Sequence, residues 1–305
     1  PGTGHATPSP VSDGKIVYVL LGCGVCAAYD LDGQRQWIRP VLEPLLPEGL
    51  VTSSPLLVQG KLVALTPAGL VALDAATGKE LWKAPASKSY ASPVIASLNS
   101  KTFILTPSGQ AVTPAEGKVL GTKLFGASGE SSPLVHNGVG YCFGGKKSHT
   151  GNAVKLSLTG ESASASKVWS AEVPNLGARS ACYASPVLYQ GLVCIVETYG
   201  WLFAYDAQTA QPVAKKPIIE GFKEPAGHGD YFCCASAAVA GGHLFVTHGS
   251  GLTVVYEGRE LKEVGRNQLE PEKIVGKNKR LEPVRASLAF AGDRIYYRGA
   301  TALYC

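Results

Sequence analysis

The sequence predicts an all-β chain folded as a single β-propeller of seven four-stranded blades, and three observations carry that reading. A Ser-Pro opening recurs at Ser9-Pro10, Ser54-Pro55, Ser92-Pro93, Ser132-Pro133 and Ser185-Pro186, and Ser236-Ala237 and Ser287-Leu288 continue it without the proline. Stepping from Pro10 to Leu288, the intervals are 45, 38, 40, 53, 51 and 51 residues. That is the repeat length of a four-stranded blade. Each opening leads into short apolar runs broken by Gly, Pro, Asp and Thr, and none of these runs is long enough for a helix. A lone sheet of this size cannot bury its faces, so the copies must stack on one another.

The clearest unit is Ser53 to Trp82. Leu56 to Val58 is its first strand, Gln59-Gly60 turns the chain, and Lys61 to Leu65 returns. Pro67-Ala68-Gly69 turns it again into Leu70 to Leu73, and the polar turn Asp74 to Gly78 leads to a short fourth strand, Lys79 to Trp82. The other blades start near residues 7, 90, 130, 183, 234 and 285, with this one near 52. In the first, Lys15 to Leu21 and Val25 to Tyr29 are strands, and Asp30-Leu31-Asp32-Gly33 precedes Trp37. The third has Thr102 to Leu105 and Gln110 to Val112, with Gly121 at the place of Trp82. The fourth carries an insertion at Gly144 to Asn152 and ends in Val168-Trp169. The fifth runs through Leu192 to Glu197 and Trp201 to Tyr205, and the sixth through His243 to Thr247 and Leu252 to Tyr256. The seventh has Arg294 to Arg298 and stops at Leu303-Tyr304-Cys305 without a fourth strand. Residues Pro1 to Ala6 or a segment further upstream would complete it, and an eighth blade is the alternative.

Composition agrees. The 305 residues are 45% hydrophobic, with 36 Gly and 20 Pro to supply turns. No apolar stretch approaches the ~18 residues of a membrane span. Net charge is +5, and the basic residues are scattered except for Lys273 to Arg280, which reads as a solvated loop. Nucleic-acid binding is not expected, because the interleaving of basic and aromatic residues is missing. The chain opens on Pro1 and contains no methionine. A processed chain is therefore expected, in which a signal peptide would not be visible.

The segment Ala72 to Trp82, ALDAATGKELW, resembles the tryptophan-docking motif of pyrroloquinoline-quinone-type propeller repeats. The pattern falls on Ala72, Asp74, Thr77, Gly78 and Trp82. The first unit matches with one residue deleted, at Ala28, Asp30, Gly33 and Trp37. The fifth keeps Ala204, Asp206 and Thr209 but has Ala210 and Ala214 for Gly and Trp. The third keeps Ala111 and Gly117, the fourth little beyond Trp169, and the last two almost nothing. The motif has a structural meaning. Asp and Thr cap a tight turn, Gly supplies its positive φ, and the small Ala leaves room for an indole buried between blades.

The resemblance implies two kinds of function. Quinone-dependent dehydrogenases of this family hold the quinone and a calcium ion on the propeller axis, with an acidic residue as base. Another similar case, the propeller lipoprotein of the outer-membrane barrel-assembly machinery, only holds partners. Candidate ligand-binding residues are Tyr90, Glu130, Arg179, Tyr183, His228, Asp230 and Arg285, all in connectors that precede first strands, with Trp201 at a hairpin. None maps onto a cofactor residue of the family. Cys233-Cys234 has the adjacency of the disulfide beside the quinone in such dehydrogenases, but its flanks, YFCCASAAV, share nothing else with that feature. Its residues read as structural thiols. Cys23 and Cys26 have the spacing of half a zinc site but no second pair, and Cys142, Cys194 and Cys305 read as small buried strand residues. His243 and His248 bracket one strand at an odd offset, which puts them on opposite faces. No nucleophile elbow, zincin motif or phosphate loop occurs.

The expectation is a non-catalytic binding or scaffolding propeller that needs no cofactor and is a monomer or part of a larger assembly. Its loops at Arg39 to Leu50, Ser170 to Cys182, Ala214 to Cys233 and Lys262 to Arg285 would contact a protein or saccharide partner. Periplasmic or extracellular placement follows from the resemblance. The alternative is a quinone- and calcium-dependent dehydrogenase of alcohols or sugars, and a third reading is a lyase or hydrolase around His228, Asp230 and Arg179.

Overall fold

The structure, a computed structural model, describes residues 8–45, 51–126, 130–144, 149–176, 180–220, 233–269, 286–298 and 303–305. Every regular element among them is a β-strand, and the strands form seven antiparallel sheets. The first sheet is β1 (Val11–Ser12), β2 (Ile16–Leu21), β3 (Val25–Asp30) and β4 (Arg35–Pro40). The second is β5 (Leu56–Val58), β6 (Lys61–Thr66), β7 (Gly69–Asp74) and β8 (Glu80–Ala84). The third is β9 (Val94–Leu98), β10 (Lys101–Leu105), β11 (Ala111–Val112) and β12 (Val119–Gly121). The fourth is β13 (Leu134–His136), β14 (Val139–Phe143), β15 (Thr150–Thr159) and β16 (Ser162–Glu172). The fifth is β17 (Val187–Tyr189), β18 (Leu192–Glu197), β19 (Trp201–Asp206) and β20 (Pro212–Pro217). The sixth is β21 (Ala238–Ala240), β22 (His243–Thr247), β23 (Leu252–Glu257) and β24 (Lys262–Gln268). The seventh has three strands among the described residues, β25 (Ala289–Ala291), β26 (Arg294–Arg298) and β27 (Leu303–Tyr304). In every sheet the strands pair in simple chain order, the meander of a propeller blade.

The first hairpins close as their sequences dictate. Gln59-Gly60, Asn137-Gly138 and Gln190-Gly191 all have both central residues at positive φ, which matches the twist of the flanking strands. The fourth sheet departs from expectation. Thr150 to Asn152, read from sequence as part of an insertion, instead begin the ten-residue β15. That strand pairs with an eleven-residue β16, and the tip of the hairpin is tied back to the third sheet. There Lys118 pairs with Glu161, and the Lys101 ammonium donates to the carbonyl of Gly160.

The chain groups into two compact units, Pro1–Cys142 with Ala153–Lys167, and Phe143–Asn152 with Val168–Cys305. In the first unit, three hydrogen bonds link successive sheets through the recurring serine. The Ser9 N–H donates to Ser54 Oγ at 3.0 Å, the Ser54 N–H to Ser92 Oγ at 2.8 Å, and the Ser92 N–H to Ser132 Oγ at 2.9 Å. Indoles join the outer parts. Trp37 donates its ring N–H to the carbonyl of Ala75 at 2.9 Å, and Trp82 donates to that of Pro114 at 3.0 Å. Each ring lies on the motif glycine of the next sheet. A Cβ on Gly78 would stand 2.7 Å from Trp37, and one on Gly117 would stand 2.6 Å from Trp82. Gly121 takes the tryptophan position in the third sheet because backbone fills that space: a Cβ there would meet the carbonyl oxygen of Ala163 at 2.3 Å. Leu62, Ala64, Val71 and Leu73 pack against Tyr18, Leu20 and Trp37 between the first two sheets.

The second unit repeats the scheme. The Ser185 N–H donates to Ser236 Oγ at 2.9 Å, and the Ser236 N–H to Ser287 Oγ at 3.0 Å. Trp169 donates to the carbonyl of Ala207 at 3.0 Å. Between the fifth and sixth sheets the dock is rebuilt without an indole. Ala214 packs against a core that contains the fully buried Leu261, held at φ 53° where the motif has its glycine. Lys216 Nζ donates to the carbonyl of Leu261 at 2.6 Å, a bond of the kind the indoles make elsewhere.

Removing an indole leaves a cavity and an unsatisfied carbonyl. Trp82→Ala is expected to lower unfolding free energy by about 3–5 kcal/mol, read from urea denaturation. Trp82→Phe keeps much of the packing and should cost less than half as much.

Candidate functional site

The residue two before each relay serine occupies a distinct place. Along these extended segments burial alternates with the two-residue period of a strand. Val51, Ser53, Ala91, Ser131, Cys182, Ala184, Cys233 and Ala235 are buried, whereas Thr52, Tyr90, Glu130, Tyr183 and Cys234 are at least partly open. Three of the sequence candidates, Tyr90, Glu130 and Tyr183, therefore share one register, and their side chains reach water. Tyr90 is the most open, at 57% exposure, with the Lys88 ammonium 5.9 Å from the centre of its ring. The Thr52 hydroxyl donates to the carbonyl of Tyr90 at 3.2 Å, so residues in this register are neighbours from sheet to sheet within the first unit. Arg179, His228, Asp230 and Arg285 lie outside the described residues, as does the run 273–280. Most of the four loops expected to meet a partner lies there too. Arg39 and Pro40, Ser170 to Glu172, Ala214 to Pro217 and Lys262 to Gln268 are corrected from loop to strand, because they pair in β4, β16, β20 and β24.

The carboxylates of the repeat motif are committed to turns. Asp74 accepts from the Thr77 N–H at 2.9 Å and the Thr77 hydroxyl at 2.7 Å, and these donors hold its carboxyl below its ordinary value. Asp206 accepts from the Thr209 N–H and hydroxyl and pairs with Arg259, which brings it down to about 2. Asp30 accepts from Asp32 and Gln34. Among the described residues no three of His, Cys, Asp and Glu are grouped to hold a metal ion.

Sequence reasoning missed a buried polar cluster in the second unit. The residue three before the hairpin glycine is Thr66 in the second sheet and Thr106 in the third, and each hydroxyl caps its own turn. The same position is Glu197 in the fifth sheet and His248 in the sixth. Glu197 is 0% exposed and His248 1% exposed. Glu197 accepts from the Ser180 hydroxyl and the Tyr199 N–H, each at 2.8 Å, and burial raises its carboxyl above the ordinary value. His248 Nδ1 accepts from the Ser250 N–H at 3.1 Å and lies 2.9 Å from the Ser250 hydroxyl, and burial lowers the ring to about 4. The two turns touch: a Cβ on Gly200 would stand 2.6 Å from the His248 ring and 3.5 Å from Cys233 Sγ. The thiols of Cys26, Cys142, Cys182 and Cys194 are pushed up to about 12 by burial, and that of Cys233 is raised further. Cys233 is buried and its neighbour Cys234 half-buried. Cys305 is the exception to the buried reading, because it follows β27 and is exposed.

The family model described as outer membrane protein assembly factor BamB matches residues 2–118 and 66–180, more than half of the chain. The chain belongs to this family. Solved structures agree on the propeller fold. BamB from Moraxella catarrhalis is similar with a TM-score of 0.68 and 14% identity, over 97% of this chain and 83% of that one. A europium-containing methanol dehydrogenase gives 0.59 and 14%, over 94% and 73%. The computationally designed Ika8 protein gives 0.55 and 11%, over 98% and 94%. No curated protein matches the sequence.

A buried neutral imidazole makes a pH prediction. Because the folded His248 binds a proton less readily than an unfolded histidine, the unfolded state takes up protons between about pH 6.5 and 4. Its contribution to stability is complete above that window and is lost as the pH falls through it. NMR titration should show the His248 ring unprotonated at pH 5, where a histidine of the unfolded chain is charged.

Proposed function

We propose that this protein is a non-catalytic scaffold that holds protein partners in outer membrane protein assembly, on the exported side of the inner membrane. Membership of the BamB family carries this reading. Its support in the geometry is twofold. The motif carboxylates Asp30, Asp74 and Asp206 are used up in turn capping, and the ionisable groups Glu197 and His248 are sealed from substrate. What remains open is a display of the kind that binds macromolecules, with Tyr90 and Glu130 in one register of neighbouring sheets. An exposed tyrosine with a carboxylate at the same position of the next repeat suits a protein surface that offers apolar area and basic side chains.

The expected consequence is that Tyr90→Ala combined with Glu130→Lys weakens binding to the outer membrane assembly proteins of its own cell by about tenfold, with the melting temperature unchanged. Surface plasmon resonance and a thermal melt read the two effects separately. Undiminished binding would remove this surface from the proposal.

The second reading, a quinone-dependent dehydrogenase, has the likeness to methanol dehydrogenase in its favour. A ligand that binds only the folded state must raise the melting temperature by mass action. Pyrroloquinoline quinone with calcium is expected to produce no rise, and a saturable, calcium-dependent rise would overturn the scaffold reading.

A further inference from the structure

Glu197 does more than cap its own turn. It lies at the end of β18, fully buried, and its Oε1 receives the hydroxyl of Ser180, which belongs to the segment leading into the fifth sheet. Ser180 Oγ in turn accepts the Leu176 N–H at 3.2 Å. The next residue, Ala181, receives both the Thr198 N–H at 3.0 Å and the Thr198 hydroxyl at 2.6 Å. The Thr198 carbonyl then takes the Cys233 N–H at 2.9 Å. One carboxyl thus sits at the junction of Ser180–Cys182, the β18–β19 turn and the segment that begins at Cys233.

No ion pair to Glu197 occurs among the described residues. A carboxylate removed from water with no cation beside it costs several kcal/mol of lost hydration, and hydrogen bonds recover only part of that. The neutral acid avoids the cost. It also keeps its contact with Ser180, because the acid O–H can donate to the Ser180 hydroxyl oxygen.

We propose that Glu197 is a proton-operated latch that holds Ser180–Cys182 against the β18–β19 turn more tightly when protonated than when ionised. The sign follows from linkage. Opening the latch admits water to the carboxyl and returns it to ordinary acidity, so the closed form binds the proton more strongly and acidification favours closure. The direction in which burial moves this carboxyl agrees. Among the described residues, the other titratable groups facing the junction do not compete. Cys182 and Cys233 are neutral thiols far above neutral pH, Tyr205 and Tyr297 beside them are likewise raised, and His248 is uncharged down to about pH 4. The inference does not depend on which partner binds.

Backbone hydrogen exchange of the whole chain, corrected for the intrinsic pH dependence, tests it as the pH is lowered from about 8 to about 5. Protection of Thr198 and Tyr199 should increase several-fold, up to about tenfold, on acidification of the wild type. In Glu197→Gln, which carries no charge, it should be flat, and Thr77 in the second sheet serves as an internal control that stays flat in both. A wild-type profile parallel to that of Glu197→Gln, or protection that falls with acid, would overturn the latch.

Discussion

Among the described residues, one backbone N–H in each of five repeats ties its sheet to the next. The innermost strand of a blade has no further strand beside it, so amides on its approach need another acceptor. Here the acceptor is the hydroxyl of the serine at the same position one sheet on, at 2.8 to 3.0 Å in all five links described. The proline that follows the serine in five repeats is dispensable to this bond. Ser236 and Ser287, followed by Ala237 and Leu288, accept as well as the others. The hydroxyl is the repeating chemical element, and the proline is an accessory that stiffens the entry to the first strand.

The outer junctions are more varied because packing has more than one solution. An indole on a glycine is one solution, used by Trp37 and Trp82. Backbone pressed into the vacant place is another, as at Gly121 beneath Ala163. A buried leucine with a lysine donating to its carbonyl is a third, at Leu261 and Lys216. All three fill the volume and supply a donor or a backbone surface where the motif would have put a ring, as close packing of the interior requires.

This explains which parts were legible in the sequence. Sheet order and strand positions could be read because they are set by punctuation that every repeat shares, and the register of Tyr90, Glu130 and Tyr183 could be counted back from the serine. The lengthened β15 could not, because Thr150 to Asn152 lie among glycines and lysines whose pairing depends on β16. Glu197 and His248 escaped notice for the opposite reason. Each stands where the second and third sheets have threonine, and only the burial of the turn distinguishes a sealed carboxyl from an exposed one. Comparing repeats position by position, rather than searching for motifs, is the signal that would have found them.

The serine links also bear on how such a chain can change. The five described links span repeat intervals of 38 to 51 residues, yet they differ by no more than a few tenths of an ångström. Length added between two linked serines is thus absorbed in the connectors and the outer hairpins. A lineage can lengthen, shorten or rewrite those segments one repeat at a time without disturbing the joints, and so acquire new recognition surfaces on an unaltered frame.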